Sequence, residues 1–495
     1  MGMNAIGTDS KLPMAIVVIG ASGDLAGRKI VPALFSLYCQ GQLPRDFCVF
    51  GLARTAMDHA AFRVRLAEHL TCRYSPAESC ADRMSEFLGR CYYSAGQYGS
   101  PNAYLDLYAA MRELQGARAN RLFYMAVPPG VFMDVSRALG DSGLVECGDD
   151  EPWSRAVIEK PFGRDRATSD QMVREMHEVF TEDTTYRIDH YLGKEVVQNL
   201  MVLRFANAIF EPLWNRRHVK SVRLTWREPG GVGQRGGYFD GFGIIRDVMQ
   251  NHLLQILALL TMERPRELAA NAVKDEKVRL LRCIPPLTVD DVVVGQYAAE
   301  RDGRHAAYVA EPGVTASSRT PTYAAAMLRI LDPRWEGVPF FVEAGKALDR
   351  AISEVRILFH DTASAFWSNG TGAVEPNELV IRIQPDEAIE LKIMSKVPGL
   401  ELSVRPTSLN LRYQDAFQTP IPDAYECLLL DVIGGDRSLF IRADELAAAW
   451  DIFTPVLHAL DEGCVTPELY EFGGNGPESA TRLAAKFGVE RGGRL

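Results

Sequence analysis

The sequence predicts an α/β domain followed by a larger α+β domain. Residues 1–188 would form the first on a parallel sheet, and 189–495 the second on a mainly antiparallel or mixed sheet. Three observations carry this. The first 185 residues alternate short apolar runs with helical patterns, as parallel strands joined by crossover helices do. From about residue 218 strand-like runs crowd together and helices thin out. A 495-residue chain that is 47% hydrophobic also exceeds what one core can fill.

Residues 15–19 read as a buried strand, 30–38 as a helix, 47–51 as a second strand and 60–70 as a helix with apolar spacing near 3.6. Runs at 122–127 and 156–158 are further strands, bounded by Pro128 and Pro161, where a central ladder cannot continue. In the second half, 219–226, 292–297, 325–331, 355–359, 379–383 and 389–394 read as strands, crossed by a long helix over 244–262. Residues 313–322 (GVTASSRTPT) read as a surface loop. No repeat or low-complexity tract is visible.

A net charge of −10 argues against nucleic acid as a partner, because phosphate backbones reward clustered Lys and Arg. No apolar run is long enough to span a bilayer, and residues 1–12 lack the apolar stretch of a signal peptide. The nine cysteines are scattered, with no Cys-x-x-Cys pair, so neither a disulfide framework nor a zinc module is expected. A reducing cytoplasm fits, with a peroxisome-like organelle as the alternative because Gly493-Arg494-Leu495 loosely resembles a peroxisomal address.

Directly after the first strand comes Gly20-Ala-Ser-Gly23-Asp-Leu-Ala26, opening into a helix, where glycine lets backbone approach a pyrophosphate. Ser22 takes the second glycine position of the dinucleotide fingerprint, so the pattern alone also fits an ordinary tight turn. At the end of the second strand stands Arg54 in place of the acidic residue that would hold an NAD ribose. A guanidinium there can pair with a 2′-phosphate, so this Rossmann-like domain is expected to prefer NADP over NAD.

Residues 187–194 (RIDHYLGK) pack an acid, an imidazole, a phenol and an amine into eight positions. His252, in Arg246-Asp-Val-Met-Gln-Asn-His, sits among apolar neighbours and by itself reads as a core histidine. Together with Glu159-Lys-Pro-Phe-Gly163, Gly236-Gly-Tyr-Phe-Asp240, Gly337-Val-Pro-Phe340, Gly345-Lys-Ala-Leu348 and Ala443-Asp-Glu-Leu446, these motifs resemble those of the glucose-6-phosphate dehydrogenase family. They occur in family order across nearly the whole chain.

The resemblance implies oxidation of glucose 6-phosphate at C1 to the 6-phosphogluconolactone with reduction of NADP, the first step of the oxidative pentose phosphate pathway. It makes His252 the general base and Asp189 its support, with no metal. A near-neutral imidazole held by a carboxylate suits that role. His190, Tyr191 and Lys194 would hold the phosphate, and Lys160, Glu228, Asp247 and Lys346 would lie on or near the sugar hydroxyls. Gly20, Ser22, Gly23, Asp24, Leu25, Arg54 and Pro128 would contact the coenzyme, with Lys160 between the two ligands. A homodimer or homotetramer through the large domain's sheet is also implied.

Two departures stand out. Ala351 occupies a position where some relatives place a basic substrate contact. Ile352, Glu390 and Asn475 replace residues that in some relatives hold a second, structural NADP, although Arg356, Arg382 and Lys392 fit that set, so weak or absent binding is expected. The rival readings are a dehydrogenase for another hexose phosphate or free glucose, and a catalytically silent NADP sensor. A relative with an appended lactonase would need a longer chain.

Overall fold

A computed structural model of the chain describes residues 12–146, 148, 151–361, 374–417 and 419–489. Residues 1–11, read above for a signal peptide, and the Gly493-Arg494-Leu495 end lie outside these.

Six strands, β1 (Met14–Ile19), β2 (Phe47–Ala53), β3 (Cys91–Ala95), β4 (Asn120–Met125), β5 (Ser154–Ile158) and β6 (Thr185–Ile188), run parallel in the order 3-2-1-4-5-6. This is the doubly wound arrangement, in which ligands bind beyond the carboxyl ends of the strands where the order reverses between β1 and β4. β1 is buried throughout. Ala15, Val17 and Ile19 enter one apolar cluster and Met14, Ile16 and Val18 another. Because successive side chains point to opposite faces and both faces are covered, the strand reads as an unbroken apolar run.

β2, β4 and β5 match the expected strands within a few residues, whereas β3 and β6 were not anticipated. β6 carries Arg187, which is buried and gives two hydrogen bonds to Glu182 at 2.8 and 3.0 Å. Such a charge inside a strand hides it from hydropathy.

The second sheet contains β7 (Val219–Arg227), β8 (Val292–Ala298), β9 (Tyr323–Leu328), β10 (Phe340–Gly345), β11 (Ile352–Phe359), β12 (Glu378–Gln384), β13 (Ala388–Lys396) and β14 (Val404–Arg412). Further on, β15 (Phe440–Ile441) returns to pair antiparallel with β6 in the first sheet, and β16 (Glu468–Glu471) joins the second beside β8. The second sheet runs 14-13-12-11-7-10-9-8-16, antiparallel except at β7/β10 and β8/β16. Edge strand β14 is largely exposed, and its polar VRPTSLNLR sequence concealed it. Pro406 within it blunts the edge against further pairing.

The long helix over 244–262 has two parts. Ile245–Leu253 winds in wide π turns and Leu254–Thr261 as ordinary α-helix, with every residue buried. A wider turn adds a residue per revolution and re-aims side chains, a feature concentrated at functional sites. From the far end of the chain, helix Ala424–Gly434 packs Leu428, Leu429 and Val432 against the first sheet's core. The first sheet thus draws on residues well beyond 188.

One expectation is corrected. Cys72 and Cys80 form a disulfide with Cα atoms 5.7 Å apart, although their spacing matches no familiar motif. Tyr74, inside the bridged loop, donates to Glu426 at 3.0 Å and ties the first domain to helix Ala424–Gly434.

Candidate active site

The residues singled out in the first domain follow successive strand ends. Gly20 to Leu25 follow β1, Arg54 follows β2, Pro128 lies just beyond β4, Lys160 beyond β5, and Asp189 to Lys194 beyond β6. Parallel strands therefore deliver all of them to one edge of the sheet.

At the turn after β1, Gly20 has φ +93, and a Cβ on it would sit 2.2 Å from the Ala126 carbonyl oxygen. Only glycine allows β1 and β4 to approach this closely. Ser22 is half-buried, while Gly23 and Asp24 face solvent. Arg54 makes no ion pair among the described residues, and its guanidinium lies 5.3 Å from the Tyr98 ring centroid. Arg65, not anticipated from the sequence, donates to the Ser22 carbonyl at 2.5 Å. An exposed glycine turn beside an unpaired guanidinium suits a dinucleotide carrying a 2′-phosphate.

The cleft beyond β6 is built differently. Asp189 Oδ1 lies 2.5 Å from His252 Nδ1 and accepts the Tyr191 backbone N–H at 3.0 Å. Both side chains are buried. Burial alone would raise Asp189, but attraction and hydrogen bonding from His252 hold it at about 2. For His252, burial pushes the imidazole below its ordinary value more than Asp189 lifts it. His190 is held well below its ordinary value by burial and by its neighbour His252. The two imidazole centroids are 4.7 Å apart, and the Tyr191 ring stacks on His252 at 4.4 Å.

Tyr191 accepts from Trp226 Nε1 at 2.7 Å, which fixes its ring. Lys194 donates to Gln384 at 2.9 Å. Lys160 donates to the Asp247 backbone carbonyl at 2.5 Å and carboxylate at 3.2 Å. Burial would raise Asp247, but Lys160 and Lys346 bring it down to about 2. Glu228 and Lys346 follow paired strand ends, Arg227 of β7 and Gly345 of β10, and bond at 2.6 Å. Parallel pairing of β7 with β10 sets that contact.

A cavity of about 560 Å³ opens beside this cluster, lined by Lys29, Arg73, His190, Lys194, Gln384 and Tyr425. Gln384, Tyr425, Lys29 and Arg73 escaped the sequence reading. Tyr425 lies over His190 with rings 10° from parallel, and it arrives from helix Ala424–Gly434, which no local signal connects to β6. Glu159 opens the Glu159–Gly163 motif. It accepts from Tyr124 at 2.6 Å, and burial pushes its carboxyl up.

No sequence spacing suggested metal ligands, yet Asp189, His190 and His252 each bring a ligand atom within 4.8 Å of the others. Of the three basic residues expected to suit a second nucleotide, two are paired, while Arg382 Nε is buried with no hydrogen-bond partner among the described residues. Arg356 binds Glu354 at 2.6 Å, and Lys392 binds Glu378 at 2.8 Å.

Comparison with known proteins agrees with this architecture. The family description "Glucose-6-phosphate dehydrogenase, NAD binding domain" matches residues 17–199, and "Glucose-6-phosphate dehydrogenase, C-terminal domain" matches 201–491. Glucose-6-phosphate 1-dehydrogenase 1, chloroplastic, from Arabidopsis thaliana is 48% identical over 493 residues, covering 98% of this chain and 84% of that protein. Glucose-6-phosphate 1-dehydrogenase from Dictyostelium discoideum is 46% identical, covering 98% of this chain and 96% of that protein. Among solved structures, a glucose-6-phosphate dehydrogenase in complex with its substrate glucose-6-phosphate superposes with a TM-score of 0.90 at 39% identity, covering 97% of this chain and 99% of that one. Matched through both domains, and with its first-domain motifs carried to one edge of a doubly wound sheet, the chain belongs to the glucose-6-phosphate dehydrogenase family.

Proposed function

We propose that the cleft oxidises D-glucose 6-phosphate at C1 to 6-phospho-D-glucono-1,5-lactone, the first step of the oxidative pentose phosphate pathway, with His252 as general base and Asp189 as its support. The observation that carries this reading is the buried 2.5 Å contact between Asp189 and His252. With Nδ1–H donating to Asp189, Nε2 keeps a lone pair for the C1 hydroxyl proton. A buried carboxylate then stabilises the imidazolium as the proton arrives. NADP held at the turn after β1 supplies the hydride acceptor.

Loss of the proton from the C1 hydroxyl oxygen and of hydride from C1, with NADP as its acceptor, leaves a C1 carbonyl, so the balance needs no further reactant. His190 and Lys194 line the proposed phosphate end together with the cationic Lys29 and Arg73, and Tyr191 stacks on His252 beside them. Lys160–Asp247 and Lys346–Glu228 each offer a donor beside an acceptor, the pattern a sugar hydroxyl needs. Gly20, Ser22, Gly23, Asp24, Leu25, Arg54 and Pro128 are assigned to the coenzyme.

Residues 1–188 are assigned to nucleotide binding, and 189–495 to substrate binding and assembly as a homodimer or homotetramer. Exposed Leu409 and Leu411 on β14 support assembly through that sheet. No helix among the described residues is long and apolar enough to cross a membrane. We assign the chain to the cytoplasm, which the six free cysteines among the described residues support. The Cys72–Cys80 bridge counts against that assignment, and cell fractionation decides it.

The test is nicotinamide absorbance with purified protein and glucose 6-phosphate, offering NADP and NAD separately beside His252→Asn. Reduction by the wild type alone is expected. Higher specificity constants for another sugar would move the substrate assignment, and no turnover with either coenzyme would refute the reading.

A further inference from the structure

Asp189, His190 and His252 each place one ligand atom within 4.8 Å of the other two. Two imidazoles and one carboxylate make up the three-ligand set that binds zinc while leaving a fourth position open. Asp189 and His252 are buried, and half-buried His190 lines the cavity that leads to solvent. That cavity sets Lys29, Arg73 and Lys194 against Asp386, Glu387 and Asp423, so its lining charges balance.

A second observation points the same way. Asp189 Oδ2 is buried and has no hydrogen-bond partner among the described residues. A carboxylate oxygen shielded from water with nothing to bind is a ligand atom to spare.

We propose that Asp189, His190 and His252 form a binding site for a divalent transition ion, Zn²⁺ above all, and that its occupancy shuts the cleft to sugar phosphate. An ion with bonds of about 2.0–2.2 Å would set the ligand atoms on a tetrahedral edge of about 3.4 Å, so the 2.5 Å contact between Asp189 and His252 would open to admit it. Mg²⁺ and Ca²⁺, which favour all-oxygen shells, do not compete. The inhibition rests on the proposed role of His252, because an ion on the imidazole occupies the group that would receive the hydroxyl proton. Binding itself does not depend on that role.

The full-length protein is titrated with Co²⁺ as a coloured stand-in for Zn²⁺. Visible d–d bands saturating at one ion per chain are expected, without a near-ultraviolet thiolate band, and displaced by Zn²⁺. His190→Asn, checked for native circular dichroism, should weaken Co²⁺ on the order of 100-fold. Cys464→Ser, at an exposed thiol, should leave it unchanged. In turnover assays Zn²⁺ should raise KM for glucose 6-phosphate and leave kcat alone. A thiolate band, undiminished binding in His190→Asn, or inhibition that saturating sugar phosphate does not relieve would overturn the site. If Co²⁺ binds as expected while the metal-free chain oxidises no sugar phosphate, the metal site stands and the proposed function falls.

Discussion

The turn after β1 lies open, with Gly23 and Asp24 facing solvent and Arg54 lacking any carboxylate partner among the described residues. The cleft beyond β6 is the reverse, for Asp189, Asp247 and Glu228 each already hold a cationic or imidazole partner. A nucleotide arriving at the turn displaces little but water, so one exposed charge can set its preference. A sugar arriving at the cleft must exchange existing protein contacts. Such a cleft is held in register before the ligand comes, and removing one partner leaves a buried charge uncompensated.

The sharpest way to break this contrast is His252→Asn. If His252 is the base, as proposed, kcat should fall by about 10²–10⁴ while KM for glucose 6-phosphate changes little. A comparable loss in KM alone would mean that the buried pair only binds.

Asp189→Asn should cost on the order of 100-fold in kcat, and it carries a signed pH test. Because Asp189 raises His252, its loss lets the imidazole pKa fall further, so the acid limb of kcat/KM should move to lower pH. An acid limb that moves upward would contradict the pairing. Stability follows the same shifts. Below the histidines' ordinary 6.5 the unfolded chain takes up protons that buried His190 and His252 refuse, so stability is lost as pH falls. A second loss is expected between 3.8 and about 2, where Asp189 and Asp247 titrate when unfolded and folded respectively. Chemical denaturation across pH measures both steps.

At the open turn the effects should be smaller and confined to one ligand. Arg54→Ala is expected to raise KM for NADP by about ten- to a hundredfold and leave NAD and the sugar unchanged. Equal losses with both coenzymes would show that Arg54 contacts something other than the 2′-phosphate. The mildest change concerns the link between the regions. Opening the Cys72–Cys80 loop with Cys72→Ser should cost about 2.5 kcal/mol of stability by the chain-entropy relation, read as a lower denaturation midpoint.

The turn and the cleft also differ in how visible they are in the sequence. Gly20 to Leu25 and Arg54 stand close to the strands that position them, so period and turn chemistry sufficed to find them. In the cleft, the eight residues at 187 stood out by density, but His252 read as a core histidine until the family resemblance gave it a role. Its partner Asp189 is 63 residues away in the chain. Gln384 and Tyr425 reach the cavity from still farther along, and neither has a local pattern that marks it. Strands β6 and β14 were hidden because a partnered arginine in one and an exposed polar edge in the other remove the apolar signal.

By itself the sequence determined the two architectures, the place of the glycine turn after β1 and, through its motifs, the family. Those depend on periodicity and on short segments whose backbone needs are local. Only the tertiary structure decided which charges are paired, that Cys72 meets Cys80, that β15 returns to the first sheet, and that Asp189, His190 and His252 converge on one point. Each of these joins segments distant in the chain through packing, and packing is a property of the whole fold, which no window of sequence contains.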